Sequence, residues 1–138
     1  MRAAVRFFSR LGNTRKIAEA LAEGAGTNAV SVADEPKLEE YVDVLFLGGA
    51  PYANIMAPEL RRYAQGLSAD MVGRVVLFTT SNWSRRTVRA LRKILMGNGI
   101  PVETGYFYAH MTRIKARSGP AREFAKEKIM KIEKGNNR

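Results

Sequence analysis

The run Val42-Asp43-Val44-Leu45-Phe46-Leu47, closing in Gly48-Gly49, constrains this chain more than any other stretch. Apart from Asp43 it carries no polar residue, so a strand formed there has no face to give to water and belongs in the buried middle of a parallel sheet. The flanking sequence supplies matching elements. Ala3 to Phe8 is a short aromatic-ended strand interrupted by Arg6, and Ile17, Ala18, Leu21 and Ala25 then recur at helical spacing. Residues 28–32, polar at alternate positions, read as an edge strand, and the polar segment 35–41 reads as a brief helix. Pro58 opens a helix with Leu60, Tyr63, Ala64 and Leu67 inward, since a proline in the first turn gives up an N–H that has no partner there. A fourth strand spans 74–80, a helix 86–98 presents Val88, Leu91, Ile94 and Leu95, and a fifth strand spans 102–109. Ser118-Gly119-Pro120 reads as the start of a last helix carrying Ala121, Phe124, Ala125, Ile129 and Ile132. With 138 residues and 46% hydrophobic content, one domain over 1–134 is expected, with 135–138 as a frayed tail. Five strands separated by helices, with no hairpin signal among them, predict a three-layer α/β/α sandwich around a five-stranded parallel sheet with right-handed crossovers.

The first strand runs directly into Ser9-Arg10-Leu11-Gly12-Asn13-Thr14 and then into a helix. A helix start leaves N–H groups unpaired and carries partial positive charge, so hydroxyls and amides converging there favour a phosphate. The loop is neither a nucleotide P-loop, whose glycine spacing and Lys-Ser/Thr ending are missing, nor a GxGxxG turn. An ordinary strand-to-helix turn capped by Asn13-Thr14 is the alternative. Cysteine is absent and His110 is the only histidine, which excludes disulfides and a thiolate metal site and argues against a His-based zinc site or hydrolytic triad. Redox chemistry in such a chain has to come from a bound cofactor.

The segment Phe8-Ser9-Arg10-Leu11-Gly12-Asn13-Thr14, with Ala18 four residues on, resembles the phosphate-binding signature of the flavodoxin family. The resemblance spans essentially the full length, and of the two strand orders open to such a chain it favours 2-1-3-4-5. It implies FMN as cofactor, with Ser9, Asn13 and Thr14 as phosphate contacts. Leu11 departs from it, standing where such loops often carry a hydroxyl, and so does Arg10, a cation beside a phosphate usually bound without one. In that strand order the winding reverses between the first and third strands, and ligands sit at the carboxyl ends there. Two more loops leave the same edge, Pro51-Tyr52-Ala53-Asn54 after the third strand and Thr80-Ser81-Asn82-Trp83 after the fourth. They are similar in position to the loops that flank the isoalloxazine ring in flavodoxins. Tyr52 and Trp83 are the candidate ring contacts, and the Ala53-Asn54 peptide is the one that would meet the flavin N5 proton.

The charge is unevenly spread. Residues 1–80 carry nine basic and nine acidic residues, whereas 81–138 carry fourteen and four, so the whole net charge of +10 lies in the second segment. Members of the resembled family are typically acidic, so the expected partner is an acidic redox protein docking on the basic C-terminal half, with Arg85, Arg89 and Arg92 on roughly one side of the helix. The reading is an FMN-binding electron-transfer protein, cytoplasmic, with no membrane span and no signal peptide expected. An FMN-dependent oxidoreductase acting on a quinone, a porphyrinogen or NAD(P)H is the alternative. A flavin-free module for polyanions is a third, and nucleic acid is not expected, because no recognised binding motif accompanies the basic residues.

Overall fold

The computed structural model describes residues 1–136. The elements follow in the order β1 (Ala3–Phe8), α1 (Asn13–Ala25), β2 (Ala29–Ser31), β3 (Val42–Gly49), β4 (Pro51–Tyr52), β5 (Ile55–Met56), α2 (Pro58–Gln65), β6 (Val72–Ser81), α3 (Arg86–Gly97), β7 (Val102–His110) and α4 (Ile114–Asn136). The main sheet has five strands in the order β2-β1-β3-β6-β7, all neighbours parallel, which is 2-1-3-4-5 when only its own strands are counted.

Each central strand feeds two cores, as an unbroken apolar run requires. Val44 and Phe46 of β3, with Val76 and Phe78 of β6, join Ile17 and Leu21 of α1 and Ala121 and Ala125 of α4 in one core. Leu45 and Leu47, with Val75 and Leu77, join Leu60, Tyr63, Leu91 and Leu95 of α2 and α3 in the other. The result is the expected α/β/α sandwich.

Four expectations need correction. Residues 35–41 form no helix: so short a segment needs an apolar face packed on the sheet to hold one, and Leu38 is the one aliphatic side chain it brings to the core. The last helix begins at Ile114 and runs through Pro120 rather than starting beside it. Ile114 is buried in the α1 core, and Ser118 Oγ–H donates to the Ile114 carbonyl at 3.0 Å, so packing carries the helix across the proline. Gly135 and Asn136, expected to fray, belong to α4, and 137–138 lie outside the described residues. Finally, β4 and β5 make a small antiparallel hairpin whose turn residues, Ala53 and Asn54, have φ of 51° and 64°. Left-handed backbone at both central positions is the mark of a two-residue type I′ turn.

Helices α1 and α4 pack backbone against backbone at Gly24, where a Cβ would overlap the Arg122 carbonyl. Gly24→Ala is therefore expected to lower stability by about 1–3 kcal/mol in denaturant unfolding, the usual cost of overpacking. Gly97 in α3 has nothing within 4 Å of its Cβ position. Gly97→Ala should be neutral or stabilising by up to roughly 1 kcal/mol. Equal effects at the two positions would show that helix propensity, not interhelical contact, governs Gly24.

Candidate functional site

Strand order reverses at β1 and β3, and the loops leaving their carboxyl ends meet there. The loop after β1 turns into α1 through Gly12, which sits at the N-cap with φ of 94° and ψ of −9°. That left-handed backbone is open to glycine at little cost, so Gly12 is where the chain can swing from strand to helix. No side chain caps α1 and no acidic residue lies in its first turn. Asn13 opens the helix and is half-buried, while Leu11 is 82% exposed.

The loop also uses its own donors. Gly12 N–H donates to Ser9 Oγ at 2.9 Å, and Arg10 N–H donates to the Tyr52 hydroxyl at 2.8 Å. The Arg10 guanidinium lies 4.2 Å from the centre of the Tyr52 ring and 5.8 Å from that of Phe8. The cation unusual for such a loop is thus held by aromatic faces, an arrangement that contributes about 0.5–1 kcal/mol at an exposed site. Tyr52 and Phe8 meet edge to face at 6.2 Å. Thr14 is buried, and its hydroxyl pairs with that of Thr80 at 2.7 Å, joining the start of α1 to β6.

The loop after β6 holds the most exposed aromatic of this edge. Trp83 is 76% exposed and has φ of 71°. Its backbone N–H donates to the Tyr108 hydroxyl at 3.0 Å, which in turn donates to the Ser81 carbonyl at 2.9 Å. The indole is supported by rings from β7, stacked with Tyr108 at 6.3 Å and tilted against His110 at 4.9 Å. Ser81 Oγ–H closes the loop onto the Ser84 carbonyl, and Asn82 is exposed beside it. Ser84 Oγ–H reaches Asn54 Oδ1 at 3.3 Å, so the loop after β6 and the β4–β5 hairpin touch. Thr79 Oγ–H donates to the Gly49 carbonyl at 2.7 Å and fixes the base of the loop that begins at Pro51.

The residues anticipated at this edge lie in the loops after β1, β3 and β6 and at the ends of the elements beside them, with Asn13 and Thr14 opening α1, Pro51 and Tyr52 forming β4, and Thr80 and Ser81 ending β6. Tyr108 and His110 were not anticipated, although their period-two spacing on the strand beside β6 brings both to one side of the sheet. The basic surface also differs from expectation. Arg92 turns toward β7 and donates to the Glu103 and Thr104 carbonyls at 3.0 and 3.2 Å. Its place is taken by Arg61 of α2, which lines a groove of about 490 Å³ with Arg86, Arg89 and Lys93. An adjoining groove of about 430 Å³ is lined by Arg85, Arg86, Arg89 and Trp83. No acidic residue lines either groove.

The buried Thr14–Thr80 pair gives a direct test of how the loop is anchored. Thr80→Val leaves one buried hydroxyl unpaired and is expected to cost about 1–3 kcal/mol, whereas Thr14→Val with Thr80→Val removes both partners and should cost clearly less than the sum of the singles. Additive losses in a double-mutant unfolding cycle would mean that the pair does not couple α1 to the sheet.

No protein-family model and no curated protein matches the sequence. Solved structures do match in shape. A Fusobacterium nucleatum flavodoxin bound to flavin mononucleotide aligns at a TM-score of 0.69 with 14% identity, over 96% of this chain and 99% of that one. Oxidised flavodoxin 2 from Bacillus cereus aligns at 0.68 with 15% identity, over 93% and 99%. The rubredoxin oxygen:oxidoreductase of Desulfovibrio gigas aligns at 0.62 with 16% identity over 92% of this chain, which spans only 36% of that protein's length. At these identities the likeness is one of architecture, and with its strand order and layers the chain has the flavodoxin-like fold.

Proposed function

We propose that this protein binds FMN at the carboxyl edge of β1, β3 and β6 and passes electrons between the flavin and a partner. One observation carries the reading: an uncapped helix start with a left-handed Gly12 and no first-turn acid shares an edge with an exposed, rigidly supported Trp83. The first feature fits a dianion, since unpaired amides and the helix dipole both favour it. The second fits a flat ring, because the indole has one side braced by Tyr108 and His110 and the rest open. Flavodoxin neighbours of similar shape, one of them bound to flavin mononucleotide, support the same assignment.

In this reading Ser9 and the N–H groups of residues 11–13 hold the phosphate, and Thr14 adds its hydroxyl proton when Thr80 is the donor within their pair. Arg10 adds positive charge while its stacking on Tyr52 keeps it at the rim. Trp83 takes one face of the ring, and the hairpin at Ala53-Asn54 faces it across the Ser84–Asn54 bond. FMN supplies the one- and two-electron chemistry when bound, and the protein's part is to orient it and tune its surroundings. No side chain has to act as a general acid or base.

Replacing Ser9 or Thr14 with Ala should weaken FMN by about tenfold per lost charge-assisted hydrogen bond while leaving riboflavin nearly unaffected. Trp83→Leu should weaken both ligands and relieve quenching of flavin fluorescence. Equal losses for FMN and riboflavin in the Ser9 and Thr14 variants would remove the phosphate assignment, and failure of the wild type to bind FMN at all would remove the proposal.

The partner proposed is an acidic protein docking over the cationic grooves beside Trp83. Exposed charges act over roughly 8 Å at physiological ionic strength, so association there should slow steeply as salt rises. With poly-glutamate as probe, Arg86→Gln combined with Arg89→Gln should reduce binding more than Lys131→Gln combined with Lys134→Gln on α4. Equal reductions would show that total charge alone governs association and that no docking face exists.

A further inference from the structure

Trp83 is the only tryptophan of the chain and His110 its only histidine, and their rings lie 4.9 Å apart, tilted by 59°. The indole is held by different groups from the backbone beneath it. The left-handed backbone of Trp83 is fixed by the bond from its N–H to the Tyr108 hydroxyl, which leaves the side chain free to turn. The indole itself meets two rings. Tyr108 is nearly parallel to it, with centres 6.3 Å apart, toward the long end of the range of about 4.5–7 Å for paired rings. Closing down on Tyr108 and the sheet edge would take apolar surface out of water, the ordinary fate of such a ring. Yet Trp83 stays 76% exposed. The imidazole meets the indole crosswise, in contact but unable to lie flat on it, as a strut does rather than a stacking partner.

That imidazole is anchored more firmly than a half-buried side chain at a strand end needs to be. His110 closes β7 in register with Ser81. Met111 N–H donates to the Ser81 carbonyl at 3.2 Å and Arg113 N–H to the His110 carbonyl at 2.8 Å, so the backbone is tied on both sides. The ring is tied as well. Thr112 N–H donates to Nδ1 at 3.2 Å, and the Thr112 hydroxyl lies 2.8 Å from the same nitrogen. An amide N–H can only donate, so Nδ1 is the acceptor and the proton of the neutral imidazole is on Nε2. Accepting from the amide two residues on is what Asn or Asp does in an Asx turn. Asn would therefore serve to close this turn, and what histidine adds is the ring that reaches Trp83.

We infer that His110 is a positioning residue for the ring site: anchored by Thr112, its imidazole props the Trp83 indole away from β7 and keeps one indole face open to the flavin. The ligand named here rests on the FMN reading, whereas the propping is measurable without it, because all tryptophan emission comes from Trp83. His110→Asn keeps the acceptor for Thr112 and removes the ring, and His110→Phe keeps a ring and removes the acceptor. In flavin-free His110→Asn the emission should shift to the blue and acrylamide quenching should fall as the indole closes onto the sheet edge. The same variant should bind FMN and riboflavin each about three- to tenfold more weakly, the loss of a stacking contact. His110→Phe should stay near the wild type in emission, quenching and both affinities. Unchanged emission and quenching in His110→Asn would overturn the inference, as would a loss confined to FMN, which would place the effect at the phosphate. Losses in His110→Phe equal to those in His110→Asn would also overturn it, since the turn and not the ring would then matter. A wild type that binds no flavin would remove the FMN reading alone, because the emission comparison is made without flavin.

Discussion

A parallel sheet whose strands are apolar on both sides can exist only if both faces are covered, and much of this molecule is the means of covering them. The α1 and α4 layer does so by close approach, with Gly24 letting the helix backbones come together and Ile17, Leu21, Ala121 and Ala125 filling the space above Val44, Phe46, Val76 and Phe78. The other face is closed by α2 and α3 over β3 and β6 and is left open beside β1. Tyr63 of α2 lines that open part. The covering requirement thus explains the regular parts of the fold, and its one lapse locates the irregular part.

Fold and site were legible to different degrees, for a physical reason. Strand positions followed from apolar runs, because a run such as Val42 to Leu47 admits one environment whatever surrounds it, whereas the strand order followed from the resemblance carried by Phe8 to Thr14. Segments whose local signals are weak or contradictory followed tertiary contacts instead. Pro120 reads locally as a helix start, yet the packing of Ile114 and Ala121 carries α4 through it. Ala53-Asn54 carries no glycine to announce a left-handed turn, and the hairpin forms nonetheless. At the site, the loops were readable as sequence motifs, whereas Tyr108, His110 and Arg61 were not, since they enter from elements whose nearness exists only in the folded chain.

The loop from Ser9 to Thr14 shows how a helix start can be held in shape without a cap. Ser9 Oγ takes the Gly12 N–H and Tyr52 takes the Arg10 N–H, so two donors are satisfied within the protein. Buried polar groups are ordinarily paired, and an exposed loop that pairs its own donors avoids the entropy of an unrestrained turn. Under the proposed function, a phosphate entering this loop would have to compete with Ser9 for the Gly12 amide. The competition favours a dianion over a neutral ligand, because a charged acceptor makes hydrogen bonds roughly twice as strong as a neutral one.

Backbone strain points to the same edge by an independent route. Among the described residues, the non-glycine positions with positive φ are Ala53, Asn54 and Trp83. Left-handed backbone costs an L-residue on the order of 1–2 kcal/mol, less for Asn. All of that cost falls in two loops that meet through the Ser84–Asn54 hydrogen bond. Trp83 is kept in its conformation by the bond from its N–H to Tyr108 and by the bond from Tyr108 to Ser81, while most of its indole stays in water. Stability alone would relax such a residue, either by burying the ring or by placing glycine at the turn. Under the proposed function, this exposed indole on a strained backbone, at the same carboxyl edge as the point where the strand order reverses, is the face offered to the flavin ring.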